Sequence, residues 1–136
     1  MTNLESIAKQ LDEIHTAARQ AFRARDLVGY RELFTEDLRY IRPDRVAIGR
    51  EQLMRDVSKQ LAQFKAVDAE VVRKSIALND DGTVTQILRQ DAVYTISIFF
   101  ILTKKWHIHR HGRYTFRMTD NGWRICHVEV LSETVN

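Results

Sequence analysis

The stretch from Thr83 to Leu131 most constrains what this chain can fold into. Val84–Ile98 (VTQILRQDAVYTISI) is dense in β-branched and aromatic residues, which suit a pleated, half-buried surface. Arg113–Met118 (RYTFRM) alternates charged or polar with apolar side chains, and Trp123–Val130 (WRICHVEV) follows after Thr119-Asp120-Asn121-Gly122. The Asn121-Gly122 step supplies the positive φ angles of a hairpin turn, and Asp80-Asp81-Gly82 does the same one strand earlier. Three long strands joined by tight turns are expected, with the upstream chain folded to cover them.

That upstream chain has helical periodicity. Leu4, Ile7, Ala8, Leu11, Ile14, Ala18 and Phe22 recur on one face, and Thr2 with Glu5 fits a capping box. Asp26 caps a short second helix carrying Leu27, Tyr30, Leu33 and Phe34. Asp37–Arg42 reads as a strand stopped by Pro43, the only proline, which cannot donate to a ladder. Val46–Ile48 is a short return strand, and Gly49 leads into a third helix with Leu53, Val57, Leu61 and Phe64 on one face. Val67–Leu78 is a further strand. Helices segregated from antiparallel strands give an α+β class, with the helices on one face of a curved sheet.

At 136 residues, with 44% apolar and 29% charged residues, the chain suits one soluble domain spanning 1–136. A net charge of +3 favours anionic partners slightly and does not indicate nucleic acid. Cys126 is the only cysteine, so no internal disulfide forms and a cytoplasmic location is expected. The start, Met1–Ile7, lacks the basic and apolar regions of a signal peptide, and the most apolar run, Ile96–Leu102, is far short of a bilayer span. No membrane partner is expected.

Four segments carry a resemblance: Asp26–Pro43 (DLVGYRELFTEDLRYIRP), Gly49–Leu53 (GREQL), Gly112–Thr115 (GRYT) and Gly122–His127 (GWRICH). In order and spacing the chain resembles the nuclear transport factor two-like superfamily, which includes ketosteroid isomerase-like and SnoaL-like proteins. The resemblance implies a cone-shaped, cystatin-like α+β fold with a pocket between the sheet and the first helix. It also implies a choice of activities, from isomerases and dehydratases to catalytically silent binding modules, because fold alone does not fix function. In ketosteroid isomerase-like relatives the residue before the matching proline is an acidic general base; here it is Arg42, a guanidinium that cannot give up its proton. The family's first-helix tyrosine falls near Ala18, and His15, one turn earlier, is the nearest polar substitute.

Strand alternation sorts the remaining candidates. With an even loop at Thr119–Gly122, Tyr114, Phe116, Met118, Trp123, Ile125, His127 and Glu129 share the face toward the helices. His127 beside Glu129 then forms a candidate catalytic pair, an imidazole base oriented by a carboxylate; the alternative is a structural pair at the sheet edge. The opposite face carries Arg113, Thr115, Arg117 and Arg124 with Cys126, Val128 and Val130. A sheet covered on one side leaves that face open, and a homodimer is expected through it. His107, His109 and His111 alternate on one strand, yet lack acidic or thiolate ligands nearby in sequence, so no metal is expected. Lys104, Lys105, Trp106, Arg110 and Arg113 interleave base and aromatic without a nucleic-acid recognition motif. Cys126 reads as a packed thiol, and with no glycine-rich phosphate loop in the strands, no cofactor is expected.

Two readings result. In one, a pocket bounded by His15, Tyr40, Arg42 and Tyr114, with His127 and Glu129, binds a small molecule and acts as a lyase or isomerase. Arg42 there presents a fixed cation that either Asp44 or Glu129 neutralises or a ligand carboxylate completes. In the other, the chain is a non-catalytic dimeric assembly module. A deep, polar-floored cavity distinguishes the first from the second.

Overall fold

The structure is a computed structural model and describes residues 3–64, 66–98 and 102–136. Thr2 of the expected capping box and part of the Ile96–Leu102 run lie outside them. The elements run α1 (Asn3–Arg23), α2 (Leu27–Arg31), β1 (Phe34–Ile41), β2 (Ala47–Ile48), α3 (Arg50–Gln63), β3 (Ala66–Leu78), β4 (Val84–Ile98), β5 (Leu102–Thr119) and β6 (Gly122–Val135). The α+β expectation stands. Among the described residues, no helix is long and apolar enough to cross a membrane.

Local chemistry accounts for most boundaries. The Asp26 carboxylate accepts from the Gly29 amide at 3.0 Å and starts α2 as expected. Arg25, between the helices, takes the left-handed region with φ of 58°. Its guanidinium donates to the Leu61 and Phe64 carbonyls, closing the end of α3. Helix α2 is shorter than its apolar pattern suggests: Leu33 and Phe34 leave it for the sheet, and the Leu33 carbonyl accepts from the Ile125 amide at 2.9 Å. In the two hairpins the positive φ falls on Gly82 and Gly122, at 86° and 99°; Asn121 does not share it.

The strands form one sheet in the order β2-β1-β6-β5-β4-β3. Strands β3 to β6 are the expected antiparallel meander, but β1 pairs with β6 in parallel, so the sheet is mixed. The chain between those two strands is long enough to make the crossover that a parallel pair needs. Helix α1 packs its Leu11 side of the bundle into the concave face, where Leu11, Phe116, Val84 and Val128 are fully buried.

Two bulges in β6 set the parity of everything after them. Phe116 pairs with Ile125 but Thr115 pairs with His127, leaving Cys126 extra, its thiol donating to the Thr115 carbonyl at 3.4 Å. A second shift, between His111 and Gly112 on β5, leaves Leu131 extra. Trp123 and Ile125 therefore face inward as expected, but Val128 and Val130 face inward too, at 0% and 1% exposure. His127 and Glu129 turn to the outer face, which corrects the expectation that they sit at the pocket. It also removes Val128 and Val130 from the outer face on which a dimer contact was expected. Truncating Val128 to Ala should cost about 2 kcal/mol, by lost burial plus a cavity, and His127→Ala within roughly 0.5 kcal/mol. Urea midpoints of the two variants test this placement, and equal losses would contradict it.

Candidate functional site

Between α1, α3 and the concave sheet lies a cavity of about 420 Å³. All four tyrosines of the chain, Tyr30, Tyr40, Tyr94 and Tyr114, line it. Each arrives by a different route: Tyr30 from α2, Tyr40 by the inward parity of β1, Tyr94 from β4 and Tyr114 from β5. Apolar walls come from Phe22, Phe34, Leu53, Leu88 and Ile125. Tyr30 stacks edge-on between Phe22 and Phe34, with ring centroids at 5.6 and 5.2 Å. Gly112 leaves room for the ring of Tyr114, since a Cβ there would come within 2.7 Å of its Cε1.

At the floor stands Arg110. Its Nε and Nη2 donate to Glu133 Oε2 at 2.7 and 2.5 Å, and its Nη1 donates to the Tyr40 hydroxyl at 3.1 Å. Glu133 points inward because the Leu131 bulge restores its parity with Arg110. Burial works against the Arg110 charge, but Tyr40, Tyr114 and Glu133 outweigh it and hold the guanidinium's pKa up; the phenols are neutral at ordinary pH, so Glu133 supplies the opposing charge. Burial pushes the pKa of all four phenols up, so each stays a protonated hydrogen-bonding group.

The expected residues divide. His15, Tyr40, Arg42 and Tyr114 all line the cavity. Arg42, however, is not a cation awaiting a partner: its Nε and Nη2 donate to Asp44 at 3.2 and 2.6 Å, and Asp56 lies 3.7 Å from its Nη1. Glu129 does not reach Arg42. It binds Arg45 at 2.5 Å and Arg113 at 2.8 Å on the outer face, pairs that hold its pKa below the usual carboxylate range. His107, His109 and His111 lie on the outer side of β5, where His109 Nδ1 meets Asp91 at 2.8 Å.

His15 is half-buried on the cavity wall. Its Nε2 lies 3.1 Å from Gln86 Nε2, and its ring stands edge-on to Phe116 at 5.7 Å between centroids. Burial, then the nearby Arg73, lower its pKa to about 4, against a partial offset from Asp12.

The family of SnoaL-like domains matches residues 11–132, almost the whole chain. This chain belongs to that family. No curated protein matches it. Among solved structures, the SnoaL-like chain is similar to a proposed scytalone dehydratase from Novosphingobium aromaticivorans, with a TM-score of 0.83 at 12% identity, covering 98% of this chain and 91% of that one. A conserved protein from Planctomyces limnophilus gives 0.80 at 14% identity, with 92% and 94% covered. A type 2 hexachlorocyclohexane dehydrochlorinase gives 0.74 at 8% identity, with 99% and 93% covered. At these identities the likeness is one of fold.

Three residues of this SnoaL-like site escape a reading by motif: Arg110, Gln86 and Arg73. Arg110 shares strand parity with Tyr114, and Gln86 stands between Val84 and Leu88 on the buried face of β4. Counting back by twos from an inward aromatic finds Arg110 and Gln86; β3 has no aromatic residue to count from, and Arg73 is placed only by its contacts with Gln86 and α1.

The lowered pKa of His15 has a consequence for stability. An unfolded histidine near 6.5 takes up a proton as pH falls, while folded His15 stays neutral until about pH 4. Stability should therefore fall between those two values, by at most about 3 kcal/mol from this group. Urea midpoints across that range should drop less steeply for His15→Asn than for wild type; parallel slopes would contradict the assignment.

Proposed function

We propose that this SnoaL-like protein binds a small, ring-bearing molecule through a carboxylate or comparable anionic oxygen, held at Arg110 and Tyr40. One observation carries the reading. A guanidinium has five N–H donors and no acceptor, and the contacts of Arg110 to Glu133 and Tyr40 use three of them. Two donors remain beside Tyr40, whose oxygen already accepts from Arg110 and whose own proton is free to point elsewhere. A hydroxyl that accepts from a cation is a stronger donor in turn. This arrangement suits an oxygen that carries or develops negative charge.

The surroundings support the same choice. A cavity of about 420 Å³ falls within the range of small-molecule sites, roughly 300–1,000 Å³. Aromatic walls suit a flat ring. Arg19, Arg23, Arg42, Lys59 and Arg110 line it against Asp56 alone among carboxylates. Asp44, Asp68 and Glu133 stand behind them as partners, Asp68 shared by Arg19 and Arg23, so one positive charge is left in excess.

A lyase or isomerase step would use Arg110 and Tyr40 to stabilise charge on the ligand oxygen. Two neighbours are named for a dehydratase and a dehydrochlorinase, but an elimination needs a base to take the carbon-bound proton, and the groups lining this cavity are chiefly donors, so ligand binding is the first property to assay. Steroid-type double-bond isomerisation should be absent, since Arg42 occupies the place of the acid. The assembly reading is weaker than the sequence suggested, because the cavity is open with a polar floor and the outer face lacks Val128 and Val130.

Calorimetric titration with a panel of aromatic carboxylates tests the proposal. Tyr40→Phe should weaken binding about fivefold, the value of one lost hydrogen bond near 1 kcal/mol, and Arg110→Met should abolish it. Arg42→Ala should change it little. Equal binding by wild type and Tyr40→Phe, or dependence on Arg42 alone, would overturn the assignment.

A further inference from the structure

Gln86 is a polar side chain at 0% exposure, set between Val84 and Leu88 on the inner face of β4. Its Oε1 accepts from Arg73 Nε on β3, and the same guanidinium donates through Nη2 to the Ala8 carbonyl at 3.2 Å and to Asp12. A guanidinium can only donate, so the end of the amide facing it is the oxygen. The amide nitrogen therefore faces His15 Nε2, and it too can only donate. His15 Nε2 must then be the acceptor, its lone pair occupied, and the ring proton sits on Nδ1. Among the described residues Nδ1 has no protein hydrogen-bond partner, and the ring lines the cavity.

We propose that Gln86, oriented by Arg73, is a positioning residue that fixes His15 as a hydrogen-bond donor and withholds it as a base. The α1 wall of the cavity thereby selects a ligand with an acceptor oxygen there, a carbonyl, ether or carboxylate, over one that must lose a proton to the imidazole. This rests on the reading of the cavity as a ligand site. The charges acting on His15 favour the neutral ring: Arg73 reaches it from β3 and outweighs Asp12 one turn earlier on α1, while Gln86 and Phe116 bring none. A polar network with a purely structural role would give the same packing but no effect on ligand choice.

Long-range proton–nitrogen correlation spectra of the ligand-free protein read the tautomer directly. His15 should show a protonated Nδ1 and a bare Nε2, unchanged between about pH 5.5 and 8, whereas free histidine titrates there. Gln86→Glu presents a carboxylate that can only accept, so the proton should move to Nε2 or the ring should become imidazolium within that range. Affinity of Gln86→Glu for 4-acetylbenzoate, which carries an acceptor carbonyl besides the carboxylate assigned to Arg110, should then vary roughly threefold or more across the new titration, while wild-type affinity stays level. Thermal stability of Gln86→Glu, followed alongside, separates loss of fold from change of tautomer. A wild-type ring protonated on Nε2, or one titrating near pH 6.5, would overturn the clamp. The expected tautomer with pH-independent 4-acetylbenzoate binding by Gln86→Glu would overturn the selective role. Failure of 4-acetylbenzoate to bind wild type at all would strike the ligand reading and the selection resting on it, and the spectra would still decide the clamp.

Discussion

The ion pair between Arg110 and Glu133 is what the polar end of the cavity depends on. A guanidinium withdrawn from water needs a partner and hydrogen bonds for its remaining edges, or it destabilises the fold by several kcal/mol. Glu133 provides the charge and Tyr40 one of the hydrogen bonds. The pair joins the far end of β6 to the middle of β5, and it orients the tyrosine that reaches in from β1. Side chains from three strands thus meet at one point, with the charge held on the sheet and not on the helices.

Much of the architecture is legible in the sequence, because it is written in local chemistry. Asp26 announces α2, Gly82 and Gly122 announce their turns, and Pro43 ends β1 where a ladder donor would be missing. The site is less legible, because parity is inherited along a strand and on β6 itself neither bulge, at Cys126 or at Leu131, carries a glycine or proline to mark it. The first bulge turns His127 and Glu129 out and Val128 and Val130 in. The second turns Glu133 in. An unbroken alternation therefore places the His127–Glu129 pair in the wrong compartment, yet leaves Glu133 on the correct side, because the second bulge undoes the first. Arg42 has a simpler lesson: Asp44, two residues on, was near enough to neutralise it.

The cavity's groups share one character. Burial keeps the tyrosines protonated, Glu133 keeps Arg110 charged, and the pKa of His15 near 4 keeps its ring neutral. Each can give a hydrogen bond at ordinary pH. The one lining carboxylate among the described residues, Asp56, already accepts from Gln52 at 2.9 Å and lies beside Arg42. A site rich in donors and poor in bases is built to hold or stabilise an oxygen anion, and less to strip a proton from carbon.

A crystal structure of the protein soaked with a ring-substituted benzoate tests this account most directly. The account expects the carboxylate within hydrogen-bond distance of Arg110 Nη1 and Nη2, each of which keeps one uncommitted N–H, and of the Tyr40 hydroxyl, with the ring against Tyr30, Phe22 and Phe34. A carboxylate bound instead among Arg19, Arg23 and Lys59, with Arg110 held only by Glu133 and Tyr40, would contradict it.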